Sequence, residues 1–141
     1  MHKGSCLCGA VAYEVDGPLG DITYCHCSRC RKAGGGAFAA VSAVNAADFR
    51  VVKSQDALKT YLTDGGVERI FCGNCGSPLI TKRASMPDVV RLRIGSLDTP
   101  VNKKVAAHIF VGSKAPWFTI TDDLPQFEEH AVAVDSRKDD A

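Results

Sequence analysis

Seven cysteines stand in three groups: Cys6 and Cys8 in "SCLCG", Cys25, Cys27 and Cys30 in "YCHCSRC", and Cys72 and Cys75 in "FCGNCG". Seven is odd, so a complete disulfide framework leaves one cysteine over, and one tetrahedral zinc site leaves three over. "CGNCG" is a Cys-x-x-Cys turn of the zinc-knuckle kind, in which backbone amides point at both sulfurs and Gly73 and Gly76 permit a tight, left-handed backbone. A knuckle supplies two ligands and a structural zinc needs four. "CLC" supplies the others if it lies in a strand, where alternate side chains share a face. Cys6, Cys8, Cys72 and Cys75 are therefore assigned to a closed, structural zinc site that ties the start of the fold to its middle. The alternative is four unliganded buried thiols.

Cys25, Cys27 and Cys30 remain, in the order C-x-C-x-x-C. Three protein ligands and an open corner are the pattern of a reactive zinc site, where water, a substrate oxygen or a substrate thiolate completes the tetrahedron. Two alternatives stay open. His26 closes the tetrahedron and makes the site structural, or Cys27 and Cys30 act as a metal-free redox dithiol.

These groups need elements to position them. The dominant pattern is alternation, as in "AVAYEV" and "VVRLRIGSL", with short apolar runs in "ERIF", "PLIT" and "AAHIFVG" and frequent Gly and Pro between them. This predicts a mainly β fold of packed antiparallel sheets with little helix. "YLTDGGVERIF" predicts a hairpin with Asp64-Gly65-Gly66 at positive φ. One helical turn is predicted from Ser28, as N-cap, to the glycines Gly34 to Gly36. Trp117 and Phe118 either cover the edge of the core, or Trp117 forms a binding wall beside the site. The 141 residues suit a single domain over residues 1–134, followed by a polar, frayed tail over 135–141.

Hydrophobic residues make up 45% and charged residues 23%, the balance of an ordinary soluble domain. No apolar run approaches the ~18 residues of a membrane span, and no apolar stretch follows Lys3 as a signal peptide requires. A reducing, cytoplasmic setting is expected, in which clustered cysteines mean metal or catalysis more often than disulfides. The formal net charge is +1. Seven zinc-bound thiolates and two zinc ions would move it to about −2. The scattered basic residues speak against a broad nucleic-acid surface.

"GSCLCGAVAYEV", "YCHCSRCRKAGGGAF", "RIFCGNCGSPL" and "HIFVGSKAPW" together resemble the glutathione-dependent formaldehyde-activating enzyme family, from about Gly4 to Glu129. The resemblance implies a fold of the β-tent type. It also implies a structural zinc on Cys6, Cys8, Cys72 and Cys75, and a second, more labile zinc on Cys25, Cys27 and Cys30. The implied activity is that of a carbon–sulfur lyase that joins glutathione, or a similar small thiol, to formaldehyde or a related aldehyde. In such a reaction Cys25, Cys27, Cys30 and His26 are the catalytic candidates. His26 would be a proton shuttle because its reference pKa is ~6.5. Its plainer role is a ring that packs or bonds a backbone carbonyl. Lys32 and Trp117 are the substrate-binding candidates, although a residue such as Lys32 more often solvates a helix face. Two functions of other kinds compete with the enzyme: a non-catalytic zinc-stabilised interaction module, and a thiol or metal redox sensor.

Overall fold

The computed structural model describes residues 1–131. The expected tail from Asp135 to Ala141 and the end of the expected domain lie outside the described residues. Among the described residues the strands are β1 His2–Ser5, β2 Ala12–Val15, β3 Ile22–Cys25, β4 Ala39–Asn45, β5 Phe49–Lys53, β6 Leu58–Leu62, β7 Val67–Cys72, β8 Pro78–Arg83, β9 Met86–Arg93 and β10 Val105–Ile109; the α-helix is α1, Ser28–Gly34. The protein is mainly β, as its alternation predicts.

The strands form two sheets, β1-β2-β5 and β10-β3-β4-β9-β8-β7-β6. All pairings are antiparallel except that of β10 with β3, which is parallel. The larger sheet is therefore mixed at that one edge, within the expected mainly antiparallel architecture. Alternation gives no sense of strand direction; the long connection from β9 to β10 supplies it.

The main core joins the two sheets. Tyr13 and Val15 from β2 pack in one buried cluster with Val44 of β4, Ile80 of β8, and Val90 and Leu92 of β9. Each fully buried side chain of this kind contributes roughly 1.5–3 kcal/mol. A smaller cluster holds Cys25, Cys30, Ala39, Val41 and Ile109 together. Because Val90 and Leu92 face the main core, alternation sends Arg91 and Arg93 to the opposite face of the same strand.

Several local expectations are corrected. "VVRLRIGSL" is a strand only as far as Arg93, after which Ile94–Ser96 form a 3-10 turn. In the hairpin of β6 and β7 only Gly66 takes positive φ, +81°. The Thr63 hydroxyl closes that turn by accepting from the Val67 amide at 3.1 Å, so Asp64 and Gly65 keep ordinary backbone. The N-cap of α1 is Cys27 rather than Ser28, and its Sγ accepts from the Cys30 amide at 3.3 Å. The helix stops at Gly35, which is left-handed at φ +77° and donates to the Arg31 carbonyl at 2.7 Å.

Candidate metal centres and the cavity beside them

Cys6 and Cys8 do not lie in a strand as expected. They occupy the turn between β1 and β2, where the Gly9 amide donates to the Cys6 carbonyl at 3.0 Å and Gly9 sits at φ +80°. The "CGNCG" knuckle repeats this device. The Gly76 amide donates to the Cys72 carbonyl at 2.8 Å, again with φ +80°. Each second cysteine is thus followed by a left-handed glycine that turns the chain back beneath the sulfurs. Gly73 is needed for another reason: a Cβ there would meet the Ala57 carbonyl oxygen at 2.9 Å. The two turns are stitched together by the Leu7 amide, which donates to Ser77 Oγ at 2.8 Å.

The sulfurs of Cys6, Cys8, Cys72 and Cys75 all lie within 4.8 Å of one another. Cys6 and Cys8 are 3.7 Å apart, and Cys8 and Cys72 are 3.9 Å apart. The edge of a tetrahedron with Zn–S bonds of ~2.3 Å is about 3.8 Å, whereas a disulfide requires ~2.05 Å. The donor set therefore fits a tetrahedral thiophilic ion such as zinc. Amides are already aimed at the sulfurs: Val11 N–H donates to Cys6 at 3.2 Å and Asn74 N–H to Cys72 at 3.3 Å. The Ser77 hydroxyl, and then its amide, pull the Cys75 thiol down to about 5.

Cys25, Cys27 and Cys30 form the second cluster, also within 4.8 Å sulfur to sulfur. Cys25 ends β3 opposite Ala39 of β4 and Ile109 of β10. Cys27 is the N-cap of α1, and Cys30 lies in its first turn. The neighbouring thiols of Cys25 and Cys30, then the amides of Cys30 and Arg29, hold Cys27 far below the ordinary thiol range. All seven cysteines are free thiols.

His26 does not join this cluster. It is fully buried, and its Nε2 lies 2.8 Å from Nδ1 of His108, whose Nε2 in turn meets Asp122 at 3.0 Å. Burial, then His108, Lys114 and Arg31, bring its pKa down to about 4. Its ring packs against Phe38 and Phe118, with centroids 5.3 and 5.9 Å away. Pro116 and Trp117 form a tight turn closed by the Phe118 amide on the Ala115 carbonyl at 3.2 Å. That turn sends Phe118 inward and leaves Trp117 outside, 70% exposed. Phe118 covers the core edge; Trp117 neither covers it nor lines the cavity described next.

A cavity of about 750 Å³ opens beside the three-cysteine cluster. Cys25, Cys27, Cys30 and Lys32 line it, and so do Arg29, Arg69, Arg83, Arg91 and Arg93. The four arginines of β7, β8 and β9 were not singled out from the sequence. The signal for two of them was present in "VRLR", where apolar and basic residues alternate. Phe110 also lines the cavity, in a left-handed conformation (φ 56°) unusual for a non-glycine residue, with its ring edge-on to His130.

A mainly β domain with one four-thiol cluster and one three-thiol cluster at a cavity has the donor sets of a protein that could hold metal at two places. The family model described as "Glutathione-dependent formaldehyde-activating enzyme" matches residues 1–113, and the chain belongs to this family. A Halomonas elongata protein named "Putative glutathione-dependent formaldehyde-activating enzyme" is 32% identical over 128 residues, covering 85% of this chain and 81% of the relative. An uncharacterized lyase of Schizosaccharomyces pombe is 31% identical over 78 residues, 55% of each chain. The crystal structure of a Rhodobacter sphaeroides protein is similar with a TM-score of 0.58 at 32% identity, covering 71% of this chain and 91% of that one. No helix among the described residues is long and apolar enough to cross a membrane.

Proposed function

We propose that this chain is a lyase-type enzyme that forms and breaks a carbon–sulfur bond between a small thiol, glutathione or a similar one, and formaldehyde or a related aldehyde. In this reading zinc occupies both cysteine clusters, two ions per chain, and the protein works in a reducing, cytoplasmic setting. The observation that carries it is the placement of Cys25, Cys27 and Cys30 at the wall of a roughly 750 Å³ cavity, with no fourth protein ligand grouped with them among the described residues. Three protein ligands leave a corner for a small molecule, where four would close the site. When bound there, zinc supplies Lewis acidity and favours the thiolate form of an entering thiol.

The chain's own residues then have defined tasks. Cys25, at the end of β3, and Cys27 and Cys30, at the start of α1, hold their sulfurs together at the cavity wall. In the forward direction the new bond joins the thiol sulfur to the carbonyl carbon, and the thiol's proton ends on the carbonyl oxygen. Lys32 at the same wall attracts a substrate carboxylate. His26 is a positioning residue: anchored on His108, it fixes the backbone between Cys25 and Cys27. Trp117 has no part in this reading, because its ring stands in solvent away from the cavity.

The test is zinc content on protein purified without chelator, combined with NMR exchange spectroscopy of 13C-formaldehyde with a thiol. Two zincs per chain and exchange faster than the uncatalysed rate, lost in Cys27→Ser, are expected. One zinc per chain with Cys25, Cys27 and Cys30 freely alkylated would instead indicate a redox or interaction role.

A further inference from the structure

The cavity beside the three cysteines is far more cationic than a three-thiolate metal site requires. Among the described residues five guanidiniums and the Lys32 ammonium line it, and Asp64 is the one lining carboxylate. Three thiolates with a divalent ion carry a single net negative charge, which balances only one of the six cations. Among the described residues the ion pairs are Arg50 with Glu14 and His108 with Asp122, so no cavity arginine has a carboxylate partner. The Nε of Arg83 is buried without a hydrogen-bond partner.

This arrangement is built into the sheet. Thr81 of β8 stands opposite both Arg69 of β7 and Arg91 of β9. Arg93, two residues from Arg91 on the same face, stands opposite Val41 of β4. Val41 lies two residues from Ala39, the partner of Cys25. Strands lie ~4.8 Å apart and same-face neighbours ~7 Å apart along a strand, so this face runs continuously from the cysteines to the arginines. Burial and then the neighbouring Arg83 lower Arg91 to about 10, and burial also lowers Arg93. Like charges gathered in this way destabilise a fold unless something answers them.

We propose that Arg69, Arg83, Arg91 and Arg93 form an anion subsite, and that the thiol admitted to the three-cysteine cluster carries two net negative charges on oxyanion groups, either a phosphate or a pair of carboxylates with no ammonium to offset them. The planar guanidinium fork matches both groups bidentately, which an ammonium does not. Glutathione, with two carboxylates and one ammonium, carries only one net negative charge at neutral pH and leaves most of these cations unanswered. The proposal rests on the reading that the three cysteines are the reacting site, and it names that site's substrate class.

Calorimetric titration of the zinc-loaded protein tests it. The probes are 2-mercaptoethanol, mercaptosuccinate and 2-mercaptoethyl phosphate, with pyrophosphate as a ligand that has no thiol. The expected result is that at least one dianionic thiol binds about tenfold to a hundredfold tighter than 2-mercaptoethanol. This preference should shrink as salt rises and vanish in the double variant Arg91→Gln/Arg93→Gln. Which dianionic thiol wins distinguishes phosphate from dicarboxylate. Arg69→Gln, which removes one guanidinium at the far strand, serves as a second variant should the double one fail to fold, and a loss of preference there supports the subsite equally. Equal binding of neutral and dianionic thiols to the wild type, or a preference that survives in both variants, overturns the proposal. Arginine-dependent pyrophosphate binding without any thiol binding supports the subsite and overturns the proposed function. Thiol binding without charge preference, together with no pyrophosphate binding, does the reverse.

Discussion

Nε2 of His26 lies 2.8 Å from Nδ1 of His108, and both rings are buried. The second nitrogen of His108 meets the Asp122 carboxylate at 3.0 Å, which can only accept. With a neutral His108 ring the order of donors follows: His108 Nε2–H donates to Asp122, and His26 Nε2–H donates to the Nδ1 lone pair of His108. Asp122 thereby fixes the ring that fixes His26, and His26 stands between two of the three cavity cysteines.

His108→Ala removes the acceptor and leaves the His26 N–H buried and unpaired. We expect a loss of about 2–4 kcal/mol in urea unfolding, from the unsatisfied donor and the cavity left behind. His108→Asn, whose carboxamide oxygen can accept, should recover part of it. A His108→Ala protein within about 0.5 kcal/mol of wild type would show that the pair does not hold the segment.

The two cysteine clusters should fail differently. Cys72 is fully buried, and its cluster joins the β1–β2 turn to the β7–β8 turn. Structural zinc contributes on the order of 10 kcal/mol, comparable with the whole stability of a domain. Cys72→Ser should therefore lose the cooperative melt, while Cys27→Ser should keep it and lose one zinc. Far-UV circular dichroism with metal analysis checks both; a cooperative wild-type melt for Cys72→Ser would refute the structural assignment.

The cysteine grouping was legible in the sequence because ligand spacing is local: two or three residues decide whether two sulfurs can meet. Strand periodicity was legible for the same reason, since Val90 and Leu92 alternate with Arg91 and Arg93 within one strand. What remained hidden was non-local. That Arg69 and Arg91 flank Thr81 depends on strand register. The His26–His108 bond spans 82 positions. The Cys6–Cys8 turn looked like a strand because "CLC" alternates, whereas Gly9 bends the chain there. The sequence leaves Trp117 as a cover of the core edge or a binding wall, and the Pro116 turn, which nothing in the sequence alone orients, places it outside.

Gly4 lies flat against the Tyr13 ring, and a Cβ there would run into the phenol itself. Tyr13 is 1% exposed and cannot swing into solvent without opening the main core. Gly4→Ala should cost about 1–3 kcal/mol through overpacking. The change Gly36→Ala meets nothing within 4 Å and should be nearly silent. Equal melting temperatures for the two variants would contradict this close approach.

Tyr13 also makes stability depend on alkaline pH. Its hydroxyl lies 2.5 Å from Ser96 Oγ, which donates to the Arg93 carbonyl at 2.9 Å, so the phenol must be the donor to Ser96. Burial first, and then Asp98, raises its pKa to about 12. An unfolded tyrosine ionises near ~10. Between those values the folded protein holds a proton that the unfolded chain has lost, so stability falls as pH rises through this window and is unaffected below it. The expected loss from Tyr13 is about 1 kcal/mol between about pH 8 and about pH 10.5. Tyr13→Phe removes the titrating group, so the gap between wild type and variant should narrow by that amount over the same range. A gap that stays constant with pH would mean that Tyr13 ionises alike in both states, and the tie from β2 through Ser96 to the arginine-bearing strand would lose its support.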